Sequence, residues 1–169
     1  TQLFLVTTLD LLYKETPIYP SPLTTLAYYI AQYKLSSSGN RTAIAFYEHY
    51  LFAIRLVEEQ FNLEIREYLD IINSPPILTE NTLDLITQRK VVAHRLAIEG
   101  LASVTHDYVH RIDSGFTNSD ANVFLQRLAQ DLYSDGQLNG ADDQVDIDIN
   151  YRDAFQLDAN DLTIPNTSY

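Results

Sequence analysis

Three short stretches hold side chains whose types and spacing could do chemistry. The first is "DLYSDGQLNGADD", residues 131–143. Counted from Asp131, it puts Asp135 at position 5, Gly136 at 6, Gln137 at 7, Asn139 at 9 and Asp142 at 12. That is close to the spacing of a calcium-binding EF-hand loop, in which side-chain oxygens and one backbone carbonyl surround a hard cation. The candidate calcium ligands are therefore Asp131, Asp135, Asn139 and Asp142 by their side chains, and Gln137 by its carbonyl. Position 3 is Tyr133, which offers no carboxylate. Asp142 is shorter than the usual bidentate Glu, and "QVDIDIN" follows where a second helix should leave the loop. The competing reading is a helix C-terminus that turns at Gly136 and Gly140. Any calcium here is expected to be a weak structural ion.

The second stretch is "HDYVH". His106 and His110 stand four residues apart and share one helix face, as zinc ligands do in H-E-x-x-H metalloproteases. Asp107 replaces the general-base Glu with a shorter side chain, and no Glu follows Glu99 to serve as a third ligand. Asp113, one turn further on, is the available substitute. Two His near a helix C-terminus are also favoured by the helix dipole alone. The third stretch is "RKVVAH". Arg89 and His94 have the R-x4-H spacing of HEPN ribonucleases, where Arg polarises a phosphate and His moves a proton. Lys90 stands where a polar aligning residue would be expected. Arg89 and Lys90 otherwise read as a solvated face, with His94 at its edge.

Other chemistries have no support. No G-x-S-x-G turn mounts a serine nucleophile, and the five glycines form no phosphate-cradling loop. Cysteine is absent, which excludes disulfides and thiol catalysis. The net charge is −12, and it is unevenly spread: residues 113–169 carry 11 Asp, no Glu and only Arg127 and Arg152. A phosphate-binding surface needs clustered basic residues, so nucleic acid is not an expected partner. No apolar run approaches the ~18 residues of a membrane span. Asn40-Arg-Thr42 and Asn166-Thr-Ser168 match the glycosylation sequon, as two short patterns do by chance at this length.

These residues need elements to position them. Ser21 and Pro22 read as the N-cap and first residue of a helix whose inner face is Leu23, Leu26, Ala27, Ile30 and Ala31, ending before "SSSGN". Tyr28, Tyr29 and Tyr33 cluster on that helix, either as a sugar or protein contact surface or as a core boundary with wet hydroxyls. Asn40 is expected to cap a helix over about 41–60, with Ala45, Phe46, His49, Phe52, Ala53, Leu56 and Val57 inward. A shorter helix, "LEIREYLDII", ends at "NSPP". A long one runs from about Glu80 to Ile112, with Leu83, Ile86, Val91, Leu96, Leu101, Val104 and Tyr108 as core positions and Gly100 as a break or close-packing point. Ser119 caps a last helix through Tyr133. "QVDIDINY" then alternates with period two, as a strand or extended arm would, and "YRDAFQL" could form one more short helix. The expected architecture is all-α: an irregular bundle of about five or six helices over residues 1–134, the first ~20 a lead-in, with an acidic, partly extended segment over 135–169 packing on the same domain.

"SPLTTLAYYIA" (21–31), "HRLAIEGLASV" (94–104) and "FLQRLAQDLYSDGQLNG" (124–140) occur in that order. Together they resemble a helical domain of exported lipoproteins and large surface proteins of gammaproteobacteria. That group has a P-L-T-T-L-A helix start and, later, a helix ending on an acidic Gly turn. The resemblance implies a periplasmic, outer-membrane-anchored or extracellular location, with a signal or lipobox removed upstream of Thr1. It implies a non-enzymatic role with a protein or glycan partner at the cell surface. Asn139 departs from the more usual Asp, which lowers the expectation of tight metal binding.

Overall fold

A computed structural model describes residues 3–7, 19–61, 69–73, 78, 84–112 and 118–138, with side chains placed at all of these except 103–104, 106–112 and 118–121. Among the described residues there are four helices and no strand, so the chain is all-α there, as expected. They are α1 (Pro22–Ser37), α2 (Ala43–Gln60), α3 (Leu85–Ile112) and α4 (Asn118–Asp135).

Helix α1 starts where its sequence says it should. Ser21 is extended, its Oγ accepts the Thr24 N–H at 3.2 Å, and Thr24 Oγ1 accepts the Ser21 N–H at 2.8 Å. This reciprocal pair satisfies two donors that helix geometry leaves orphaned. Leu23, Leu26, Ala27, Ile30 and Ala31 are all buried, which is the expected inner face. The helix runs two residues into "SSSGN", where Ser36 and Ser37 donate their hydroxyls back to the Gln32 and Tyr33 carbonyls. Residues 3–7 lie against the start of α1. The Phe4 N–H donates to Thr25 Oγ1 and the Phe4 carbonyl accepts from Thr24 Oγ1, both at 2.9 Å. The Phe4 ring stacks on Tyr28, with centroids 4.6 Å apart and planes 9° from parallel. Tyr28 and Tyr29 are thus a boundary between α1 and this arm.

Helix α2 is capped by Thr42, whose Oγ1 accepts the Ala45 N–H at 3.2 Å, and not by Asn40. Its inner face is also turned from the expected one. Ala45, Tyr50, Ala53, Ile54 and Val57 are buried, while Phe52 is 50% exposed and Phe46, His49 and Leu56 are half-buried. Tyr50 is fully buried, and that burial pushes its hydroxyl up to about 12. Both tyrosine and phenylalanine satisfy an apolar pattern, so the partner helices decide which goes inward.

The short helix expected at 63–72 is contradicted at its described end. Residues 69–73 form a turn in which Asp70 Oδ1 accepts the Ile72 and Asn73 N–H groups at 3.2 and 2.9 Å. An Asp side chain that takes its own downstream N–H groups competes with helix continuation. Residues 62–68 lie outside the described set, as do Leu83, the strand and the short helix expected beyond residue 143.

Helix α3 opens at Asp84, whose Oδ1 accepts the Thr87 N–H at 2.7 Å. It passes through Gly100 unbroken, and Gly100 is buried. Val91, Leu96 and Leu101 are inward as expected, but Ile86 is 59% exposed. Val104 and Tyr108 are helical, and their side chains lie outside the described set. Ser119 falls inside the first turn of α4 and does not cap it. Phe124, Leu125, Leu128, Ala129 and Leu132 then complete the core with α1 and α2. Helix α1 packs chiefly on α2 and α4, and touches α3 more sparingly. No described helix is long and apolar enough to cross a membrane.

Candidate binding groove and a polar node

The C-terminal halves of α1 and α2 meet the C-terminal end of α4 around an open groove of about 430 Å³. Ile30, Leu56 and Leu132 give it apolar walls, and Lys34, Phe52, Tyr133 and Ser134–Gly136 form the rest. Lys34 lies in the last turn of α1, where the negative end of the helix dipole favours a cation. Its Nζ sits 3.4 Å above the Phe52 ring, a cation–π contact that holds both side chains at the rim. Tyr133 is 37% exposed and lies with its ring 6.2 Å from that of Tyr33, at 31°.

The opening acidic stretch supplies one wall of this groove. Helix α4 stops because Gly136 adopts φ +80°, a left-handed conformation that glycine takes without steric cost, and its N–H caps the Leu132 carbonyl at 3.1 Å. A Cβ there would meet only Leu56 Cδ1 at 3.7 Å, so backbone angle and not space demands glycine. The Gly136 carbonyl accepts from Gln60 Nε2 at 3.1 Å, which ties the turn to the end of α2. Asp135 Oδ1 accepts the Gln137 N–H at 2.8 Å, and Ser134 Oγ donates to the Asp131 carbonyl at 2.8 Å.

Of the candidate calcium ligands, Asp131 is fully buried, whereas Asp135 and Gln137 are exposed. Asn139 and Asp142 lie outside the described residues. Among the described residues no group of three or more His, Asp or Glu side chains could hold a metal ion. His106 and His110 both lie on α3, one turn apart, and their side chains are outside the described set, as is Asp113.

Arg89 and His94 do not share a face. Five residues turn an α-helix by about 500°, which leaves them roughly 140° apart. Arg89 is exposed, and His94 is 3% exposed rather than at the edge of a solvated face. Lys90 is not simply solvated either: its Nζ bridges to Asp70 Oδ2 at 3.2 Å. Together with Glu58 of α2 these residues form a polar node around the 69–73 turn. Glu58 Oε1 accepts the Ile71 N–H at 3.1 Å, and His94 lies beside the Asp70 backbone. Burial pushes the Glu58 carboxyl up, against the Ile71 N–H that lowers it. Burial also opposes ionisation of Asp70, but the Asn73 and Lys90 donors outweigh it and lower its pKa. Burial lowers His94, against the pull of the Asp70 carbonyl and charge.

Sequence reasoning missed Glu58 and Asp70 as partners of Lys90 and His94. The "D-x-x-N" of Asp70 and Asn73 was a usable turn signal, since Asp takes N–H groups two and three residues on. Nothing in the sequence links that turn to α3. No protein-family model, curated protein or solved structure matches the chain.

Proposed function

We propose that this chain is a non-catalytic binding domain of an exported or envelope-anchored bacterial protein, and that the α1–α2–α4 groove receives a sugar ring of a surface glycan. The observation that carries the reading is the groove's rim, where Phe52 and Tyr133 present aromatic surface beside Lys34 and Ser134. A volume of about 430 Å³ lies within the ~300–1,000 Å³ of small-ligand sites. Aromatic rings offer contact area at low entropic cost. The C–H face of a sugar would rest on Tyr133 and on the part of Phe52 that Lys34 does not cover, and its hydroxyls would meet the polar rim. The non-catalytic part is supported by the tasks of the landmark residues. Ser21, Thr24 and Thr25 cap a helix and clamp residue 4, and Gly136 ends another helix. Location in the envelope rests on the resemblance of residues 21–31, 94–104 and 124–140. The same reading keeps the expectation of five or six helices with an acidic C-terminal segment.

Calorimetric binding of soluble oligosaccharides of glucose, galactose and N-acetylglucosamine tests this. Phe52→Ala and Tyr133→Ala are each expected to weaken binding at least tenfold, about 1.4 kcal/mol. Their melting temperatures should move little, because both rings are substantially exposed. A peptide that binds the groove when no sugar does would replace the glycan with a protein partner. Hydrolysis of RNA or peptide that is lost in His94→Ala or His106→Ala would overturn the non-catalytic reading.

A further inference from the structure

The node between α2, the 69–73 turn and α3 uses several ionisable groups to hold one short segment. Glu58 takes the Ile71 N–H, Lys90 takes the Asp70 carboxylate, and His94, one turn after Lys90 on α3, is buried beside the Asp70 backbone. Beneath them Ile71 is fully buried and joins the cluster that contains Ala97 and Leu101 of α3. The turn is therefore a peg between α2 and α3, and α3 has little other packing on α1.

His94 is the vulnerable member. Its ring is 3% exposed, and Nδ1 is buried without a hydrogen bond. The neutral ring can keep its one proton on Nε2, but an imidazolium carries N–H on both nitrogens and Nδ1 has no acceptor to receive one. A second N–H created by protonation would be buried and unpaired, and an unsatisfied buried donor is costly. The charges around the node are Glu58 and Arg55 from α2, Asp70 from the turn, and Lys90 one turn earlier on α3. Asp70 would attract an imidazolium, but Asp70 is already neutralised by Lys90 and by two donors from Asn73.

We propose that Glu58, Asp70, Lys90 and His94 form an acid-sensitive latch: protonation of His94 frees the 69–73 turn and loosens α3 from the bundle, while α1, α2 and α4 stay packed. The proton is the ligand of this device, and the 28-residue helix α3 is what it releases. The latch is independent of the groove, which no residue of α3 lines.

Hydrogen exchange on the full chain between pH 7 and pH 5, corrected for intrinsic rates, tests it. Amides of residues 71–73 and 90–101 should lose protection by up to tenfold per pH unit below 6.5. Amides of residues 23–31 should keep theirs. His94→Gln keeps an N–H donor but cannot titrate in this range, so its protection should stay flat. Should that variant fail to fold, nuclear magnetic resonance can follow the His94 ring in the unsubstituted chain. Its midpoint should fall below 6.5 and coincide with the loss of protection. Titration of His94 with no loss at 90–101, equal loss in every helix, or a loss that persists in His94→Gln would each overturn the latch.

Discussion

Single hydrogen bonds hold the start of this fold, and their removal should be measurable one at a time. Ser21 supplies the side-chain half of a reciprocal cap, so Ser21→Ala is expected to cost about 1 kcal/mol in urea unfolding. Thr25→Val is a harsher change, because it strips the acceptor from the Phe4 N–H while preserving shape. The expected cost is about 1–3 kcal/mol, with loss of the Phe4–Tyr28 ring contact in near-ultraviolet circular dichroism. Gly136→Ala should cost about 1–2 kcal/mol through its positive φ alone. These roles were partly legible beforehand. A Ser-Pro pair before an apolar period and an Asp-Gly after one are local signals, and both ends fell where they indicate. The role of Thr25 was not legible, since its partner is 21 residues away and the pairing exists only once residues 3–7 dock.

Helix faces follow a simpler rule, and it worked unevenly. In α1 the 3.6-residue period named every buried aliphatic position, because the opposite face is Thr, Tyr and Gln and leaves no competing stripe. In α2 the sequence "AFYEHYLFAIRLV" is apolar almost all round, so periodicity could not choose between Phe52 and Tyr50 as the inward ring. The choice was made by packing against α1, and Phe52 was left at the rim beneath Lys34. That displacement is why the groove could not be read from the sequence. It also separates two classes of substitution. Leu26→Ala, in the core, is expected to cost about 2–5 kcal/mol, whereas Ile44→Ala at 74% exposure should stay within about 0.5 kcal/mol. Urea midpoints at constant slope distinguish them. The calcium reading belongs to this scale as well. Of the loop's two described carboxylates, Asp131 is buried and Asp135 is exposed. Millimolar calcium, compared with EDTA, should leave the melting temperature unchanged. A rise of several degrees would assign the ion's ligands to residues beyond 138.

For the molecule as a whole, the node sets how stability follows pH. His94 has a lowered folded value, so the unfolded chain binds its proton more readily. Its contribution is complete above 6.5 and is lost as pH falls through and below that point. Asp70, also lowered, adds stability above its ordinary 3.8 and loses it below. Glu58 is raised, so its contribution is present below 4.5 and fades as pH rises through its folded value. Melting curves should therefore show a decline beginning near pH 6.5 on acidification, absent in His94→Gln, and a second decline below 3.8, absent in Asp70→Asn. The acidic composition announced sensitivity to pH only in general terms. Which groups carry it depends on burial, and burial brought residues 58, 70, 90 and 94 together from three separate segments. The proposed binding site of this domain is the groove between α1, α2 and α4. Titration of the isotope-labelled full chain with the oligosaccharide set, followed residue by residue in amide spectra, addresses it most directly. The expected result is a set of shifts confined to Lys34, Phe52, Leu56 and Leu132–Gly136, abolished by Phe52→Ala. Shifts centred on α3, or saturable binding that leaves those residues untouched, would contradict it.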